Sequence, residues 1–121
     1  MNTNYPERRQ QLAELLTQMG KALPGPLNGF ADLHKESVAE AALSTKVKEL
    51  IALGIGVAVR CDGCISFHVH DALKAGATRA EITEVLGVAI MMGGGPAAMY
   101  ACDAFDALDQ FERQGVGRQA S

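Results

Sequence analysis

Apolar residues recur along this chain at helical spacing and show no strand-like alternation. Leu12, Leu15, Leu16 and Met19 fall at i, i+3, i+4 and i+7, which predicts an amphipathic helix with one inner stripe. Pro6 suits the first turn of that helix, and Pro24-Gly25-Pro26 predicts its end. A second helix is expected over about 29–41, with Phe30, Leu33, Ser37 or Val38, and Ala41 turned inward. A third starts at a Ser44 or Thr45 cap and runs through KVKELIALGIGVAV. Beyond Glu49 it is apolar all round, which predicts burial on every side. A fourth runs from near Asp62 to a C-terminal Gly76. Thr78 and Glu81 form a T-x-x-E capping box ahead of a fifth, with Ile82, Val85, Leu86, Ala89 and Ile90 at helical spacing. Gly93-Gly94-Gly95-Pro96 predicts a break, after which a sixth helix carries Met99, Cys102, Phe105 and Leu108.

The pattern predicts an all-α domain of about six helices. Its bounds are an N-terminal helix at 1–24, a helical core at 25–112 and a flexible tail at 113–121. A 121-residue chain has trouble wrapping wholly apolar helices alone, so a homo-oligomer is expected. Val85 to Cys102 carries no charge and just reaches the lower length limit of a membrane span. The glycines and proline in its middle would free backbone groups that lipid cannot satisfy, so two buried helices are expected there and no membrane contact. A net charge of −3 with scattered basic residues argues against a nucleic-acid surface. The opening MNTNYPERRQQ lacks the apolar run of a secretory signal, and three cysteines do not make a disulfide framework. The expectation is a cytoplasmic protein, where a CxxC is more often catalytic or metal-binding than structural.

The chemistry concentrates in RCDGCISFHVHD, residues 60–71. Cys61 and Cys64 stand three apart at the expected start of a helix, where free N–H groups stabilise a thiolate. His68 follows Cys64 by four residues, on the same helix face; His70 points away and is read as a partner of Asp71 or an oligomer contact. A redox dithiol is favoured, with a metal site and inert packing as the alternatives. Cys102, His34 or Glu49 could complete a metal site, but none lies in a ligand-pair motif. Spacing alone favours a solvent-facing Glu49; burial against the dithiol would suit it to proton transfer instead. Cys102 is expected to be buried and inert, His34 to lie at the surface or an interface, and Met91, Met92 and Met99 to fill core or interface gaps. The glycine run lacks the Lys-Ser/Thr of a phosphate loop; it is read as a close helix turn that could wall a pocket above the dithiol.

Glu49, Cys61, Cys64 and His68 together read E-x11-C-x2-C-x3-H. This resembles the active-site signature of the AhpD-like alkylhydroperoxidases of the carboxymuconolactone decarboxylase superfamily. The resemblance spans about residues 27–107, from the capping Ser-Thr through Ala-Gly-Ala-Thr to the glycine break. It implies an all-helical trimer or hexamer that needs no cofactor or metal and reduces peroxides. In that family the second cysteine attacks the peroxide and the first resolves the sulfenic acid. Carried over, Cys64 is peroxidatic, Cys61 resolving, and Glu49 with His68 a proton relay. The disulfide would be returned to the dithiol by a dithiol reductant, in some members a lipoyl-bearing protein. Gly63 departs from the pattern, because well-studied peroxidases of this type carry a histidine before the second cysteine. A glycine transfers no proton, which leaves open a weaker peroxidase or a different substrate. Three other readings stay open: thiol–disulfide exchange or redox sensing, a metal-binding module, and the superfamily's lactone decarboxylase. The intact CxxC argues against the last.

Overall fold

The computed structural model describes residues 3–118, and every regular element among them is helical. In order these are α1 (Tyr5–Ala22), α2 (Pro24–Val38), α3 (Thr45–Ala58), α4 (Asp62–Lys74) and α5 (Arg79–Arg113). The all-α class stands, with five helices in place of about six. The two limbs on either side of the glycine run continue as one kinked helix. Gly94 takes φ 72° and ψ −152°, a conformation essentially reserved for glycine, and Pro96 supplies no N–H to the helix ladder. The helical conformation is therefore broken at Gly94, as the glycine run predicts, and α5 comprises two limbs joined at that kink.

Capping chemistry sets the other boundaries. The Ser44 hydroxyl accepts the Val47 N–H, and Thr78 and Glu81 make both hydrogen bonds of their capping box. Gly76 follows α4 at φ 99°. Helix α1 ends at Ala22, just ahead of Pro24 as the proline pattern predicts, and the prolines at 24 and 26 have a second role. They open α2, because the first turn of a helix leaves its N–H groups unbonded and tolerates proline there. The second helix is thus Pro24–Val38, and Ala41 lies outside it.

Helix α3 packs on both α4 and α5, and α4 packs on α5. Leu53, Val57, Ile65, Val69, Ile82, Leu108 and Phe111 are buried between them. Helices α1 and α2 form a hairpin against this body, α1 touching α4 and α5, and α2 touching α3. The hairpin is held by polar and aromatic anchors. Tyr5 is buried with its N–H on Gln110 Oε1 at 2.8 Å, and the Arg9 guanidinium lies 5.6 Å from the Phe67 ring centroid.

The expected inner stripes of the hairpin do not face a core. Leu15, Leu16, Met19, Phe30 and Leu33 are exposed, and α2 has no buried residue. Helix α3 is likewise not enclosed, since Ile51, Ile55 and Val59 lie open on its outer face. In the second limb of α5 the inner face is Ala97, Ala101, Ala104, Ala107, Leu108 and Phe111, while Met99, Cys102 and Phe105 point outward. Alanine wins the inner positions because a small side chain lets helices close on each other; a reading that ranks residues by size picks the wrong face. Cys102 is therefore exposed, not buried, and Met91, Met92 and Met99 fill no core gap within the chain. By length and composition α5 is the one described helix that could cross a membrane, but its alanine face is core. Of the expected tail, Val116 packs against the core, and 119–121 lie outside the described residues.

The kink in α5 and the acidic group beside the α1 anchor each give a stability prediction. A Cβ at Gly94 would meet nothing within 4 Å, so Gly94→Ala costs only backbone strain, about 1–3 kcal/mol. Gly87, equally open but helical, is the control: Gly87→Ala is expected to stabilise by about 0.5–1 kcal/mol in urea unfolding, and a kink that tolerates both alike would contradict the assignment. Burial, together with Asp62 and Asp106, holds the Asp103 carboxyl above its usual range. The folded state then keeps this proton more tightly than the unfolded chain. Its contribution is full below the unfolded pKa and is lost as pH rises through the folded one. Asp103→Asn is expected to raise Tm at neutral pH and not at acid pH, as thermal melts across the range would show.

Candidate functional site

Glu49 and Gly56 lie seven residues, about two turns, apart on one face of α3. A Cβ on Gly56 would come 3.0 Å from Cys64 Cβ, so the bare glycine lets α4 press against α3 at Cys64. One turn further along α4, His68 meets Glu49. Glu49 is 3% exposed, and its Oε2 lies 2.8 Å from His68 Nδ1. A carboxylate accepts, so Nδ1–H is assigned as the donor of this contact. Spacing alone favoured a solvent-facing Glu49; the structure buries it, and its partner offsets part of the cost of burying a charge.

The link between α3 and α4 turns through Arg60, whose φ is 63°. It delivers Cys61 as the N-cap of α4. Cys61 and Cys64 are disulfide-bonded, with Cα atoms 5.2 Å apart. The Cys64 N–H donates to Cys61 Sγ at 3.2 Å, so the helix N-terminus is aimed at the first sulfur of the pair.

Both cysteines and His68 line a groove of about 790 Å³ between α4 and the hairpin. Its walls are largely apolar: Leu12 and Leu16 from α1, Leu27 and Phe30 from α2, Phe67 from α4. Gly63 has a role here. A Cβ on it would lie 3.2 Å from Leu12 Cδ1, so the missing side chain makes room for α1 over the dithiol.

All four residues singled out in the sequence, Glu49, Cys61, Cys64 and His68, are thus at one place. Two more join them. His34 is exposed, as expected for a surface residue, yet it lines this groove with its ring 6.1 Å from that of His68. Asp71 makes the anticipated pair with His70 at 2.8 Å and also lines the groove. Ligand atoms of His34, Glu49, His68 and Asp71 all lie within 4.8 Å of one another. Asp71 was readable as the i+3 neighbour of His68, whereas His34 arrives by tertiary placement of α2. The metal set considered from the sequence included Cys102, which does not join this cluster. Gly93 to Gly95 do not wall the groove; Gly93 packs on Ala58 instead.

An all-helical fold with a CxxC disulfide at a helix N-terminus, beside a buried carboxylate–histidine pair, defines a class of site. The wider pattern of the chain matches the carboxymuconolactone decarboxylase family over residues 24–107, and the protein belongs to that family. An uncharacterised protein of Cupriavidus necator is 39% identical over 112 residues, covering 90% of this chain and 99% of the relative. Uncharacterised protein 4 in the cox locus of Paracoccus denitrificans is 35% identical over 70% of this chain and 77% of its own. The crystal structure of an apo carboxymuconolactone decarboxylase family protein from Legionella pneumophila superposes with a TM-score of 0.86 at 38% identity, covering 91% of this chain and 98% of that one. A family member from Thermotoga maritima gives 0.75 at 26% identity, covering 93% of each.

The contact at Gly56 gives a prediction of its own. Gly56→Ala forces Cys64 or the α4 backbone to move, and is expected to destabilise the oxidised protein by about 1–3 kcal/mol in urea unfolding. A neutral effect would show that α3 and α4 are not held at this spacing.

Proposed function

We propose that this protein is a dithiol peroxidase that reduces organic hydroperoxides or hydrogen peroxide. The observation that carries the reading is the placing of Cys64 one helical turn from His68, itself held by the buried Glu49, along an apolar groove. In the reduced protein, Nε2 of His68 is the base for the Cys64 thiol. The thiolate attacks one peroxide oxygen, the O–O bond breaks, and the departing alkoxide takes the proton from His68. Cys64 is left as a sulfenic acid. The Cys61 sulfur then attacks Cys64, water leaves, and the disulfide forms. A dithiol, with a lipoyl-bearing protein among the candidate donors, returns two electrons and two protons. The apolar walls suit an alkyl substituent, and an antioxidative response is the role suggested for the Thermotoga maritima relative. The open apolar faces of α3 and α5 suit a homo-oligomer, and the proposal takes it as a trimer or hexamer working in the cytoplasm.

One observation favours a second reading, thiol–disulfide exchange without peroxidase turnover. The Cys64 N–H points at Cys61 Sγ, which would make Cys61 the more stabilised thiolate and the better leaving group. Gly63 adds to it, because no side chain there can carry a proton to the sulfur.

Reduced protein treated with one equivalent of an alkyl hydroperoxide separates the two. The peroxidase reading expects loss of both Cys61 and Cys64 thiols with a mass change of two hydrogens. Cys64→Ser should abolish this, Cys61→Ser should stop at a trappable sulfenic acid, and Glu49→Gln should slow the step by about 10²–10⁴-fold. Thiols that survive peroxide but exchange with a small disulfide would establish the second reading.

A further inference from the structure

We infer that His34, Glu49, His68 and Asp71 form a site for one divalent transition-metal ion, with Zn²⁺ as the fitting case. Three helices bring the four together: His34 from α2, Glu49 from α3, His68 and Asp71 from α4. Two imidazoles and two carboxylates are a donor set that Zn²⁺ accepts, at metal–ligand distances of about 2.0–2.2 Å. Four ligands around such an ion stand roughly 3.3 Å from one another, by tetrahedral geometry on those bond lengths. The Glu49–His68 contact at 2.8 Å is already near that separation, and the whole set spans no more than 4.8 Å. His34 is exposed and on the least buried helix, so a side-chain adjustment there can close the set without moving the core. Asp71 Oδ1 faces His70 and Arg9; Oδ2 lies outside both contacts. Neither cysteine is needed, so the disulfide form is a competent host.

The ion would take the place of the proton between Glu49 and His68. With Nδ1 on the metal, the neutral ring carries its proton on Nε2 and can no longer accept one from a thiol. The metal-bound form is then a resting form of the dithiol site; this consequence, unlike the site itself, rests on the peroxidase reading. The ion would also tie α2 to α3 and α4.

The test uses untagged full-length protein in its disulfide form, with Cys102→Ser to remove the exposed thiol, titrated with Zn²⁺ by calorimetry and followed by thermal melts. One ion per chain and a raised Tm are expected. His34→Ala, an exposed position that does not threaten folding, should weaken binding by more than the roughly 10–100-fold that even an outer-shell partner contributes, and should cancel the rise in Tm. No binding in the micromolar range, or equal binding by His34→Ala, overturns the site. These readouts need no peroxide, so they are independent of the function proposed above. In the reduced protein, saturating Zn²⁺ should slow peroxide-driven thiol loss in wild type and not in His34→Ala, each against its own metal-free rate. Slowing of both alike would place the inhibitory ion on the thiols and overturn the resting-form consequence.

Discussion

The closeness of α3 and α4 at Gly56 is the constraint on which the site depends. With no side chain on Gly56, the first turn of α4 lies directly on α3, and the spacing of the two helices is set by backbone contact with Cys64. Everything else follows from helical repeat. Two turns back along α3 comes Glu49, one turn on along α4 comes His68, and the two meet at hydrogen-bond distance. A carboxylate in that position is expensive without a partner and orients the imidazole once it has one. Burial thus does two things: it makes the carboxylate depend on its histidine partner, and it ties Glu49, His68 and the dithiol to a single pair of helices.

The hairpin of α1 and α2 is built on different physics. It contributes little to the core, and α2 contributes no buried residue. Its hold on the body comes from Tyr5, from the Arg9 stack on Phe67, and from the Arg8 and Arg9 ion pairs with Asp62 and Asp71. Few buried apolar contacts mean that opening the hairpin costs much less than unfolding the domain. The outer wall of the groove is therefore the low-stability part of the molecule, and the inner wall is the rigid one.

Much of this was legible in the chain. Ser44, Thr78 with Glu81, and Gly76 mark helix ends through hydrogen bonds made within a few residues, and such local chemistry survives into the fold. Glu49 was legible only through the E-x11-C-x2-C-x3-H signature, because spacing by itself pointed it to solvent. What was not legible depends on who packs against whom. The Pro24 run marks the end of α1, but nothing in it announces that α2 starts at the same place. The leucines of α1 look like a core stripe but find no core within the chain. Alanines at 97, 101 and 104 outrank Met99 and Phe105 for the inside only because the helices there close tightly. His34 carries no signal at all in its surroundings, and only the placing of α2 brings it beside His68.

The family pattern begins at Pro24, so α1 lies ahead of it while the acid, the histidine and both cysteines lie inside it. Yet Leu12 and Leu16 of α1 wall the groove, and Leu12 packs over Gly63, between the two cysteines in sequence. The groove is therefore walled from two stretches of the chain: by α1, ahead of the family pattern, and by Leu27, Phe30 and Phe67 inside it. A change confined to Leu12 or Leu16 would thus reshape one wall of the groove while leaving the packing of α3 on α4, and with it the Glu49–His68 contact, untouched.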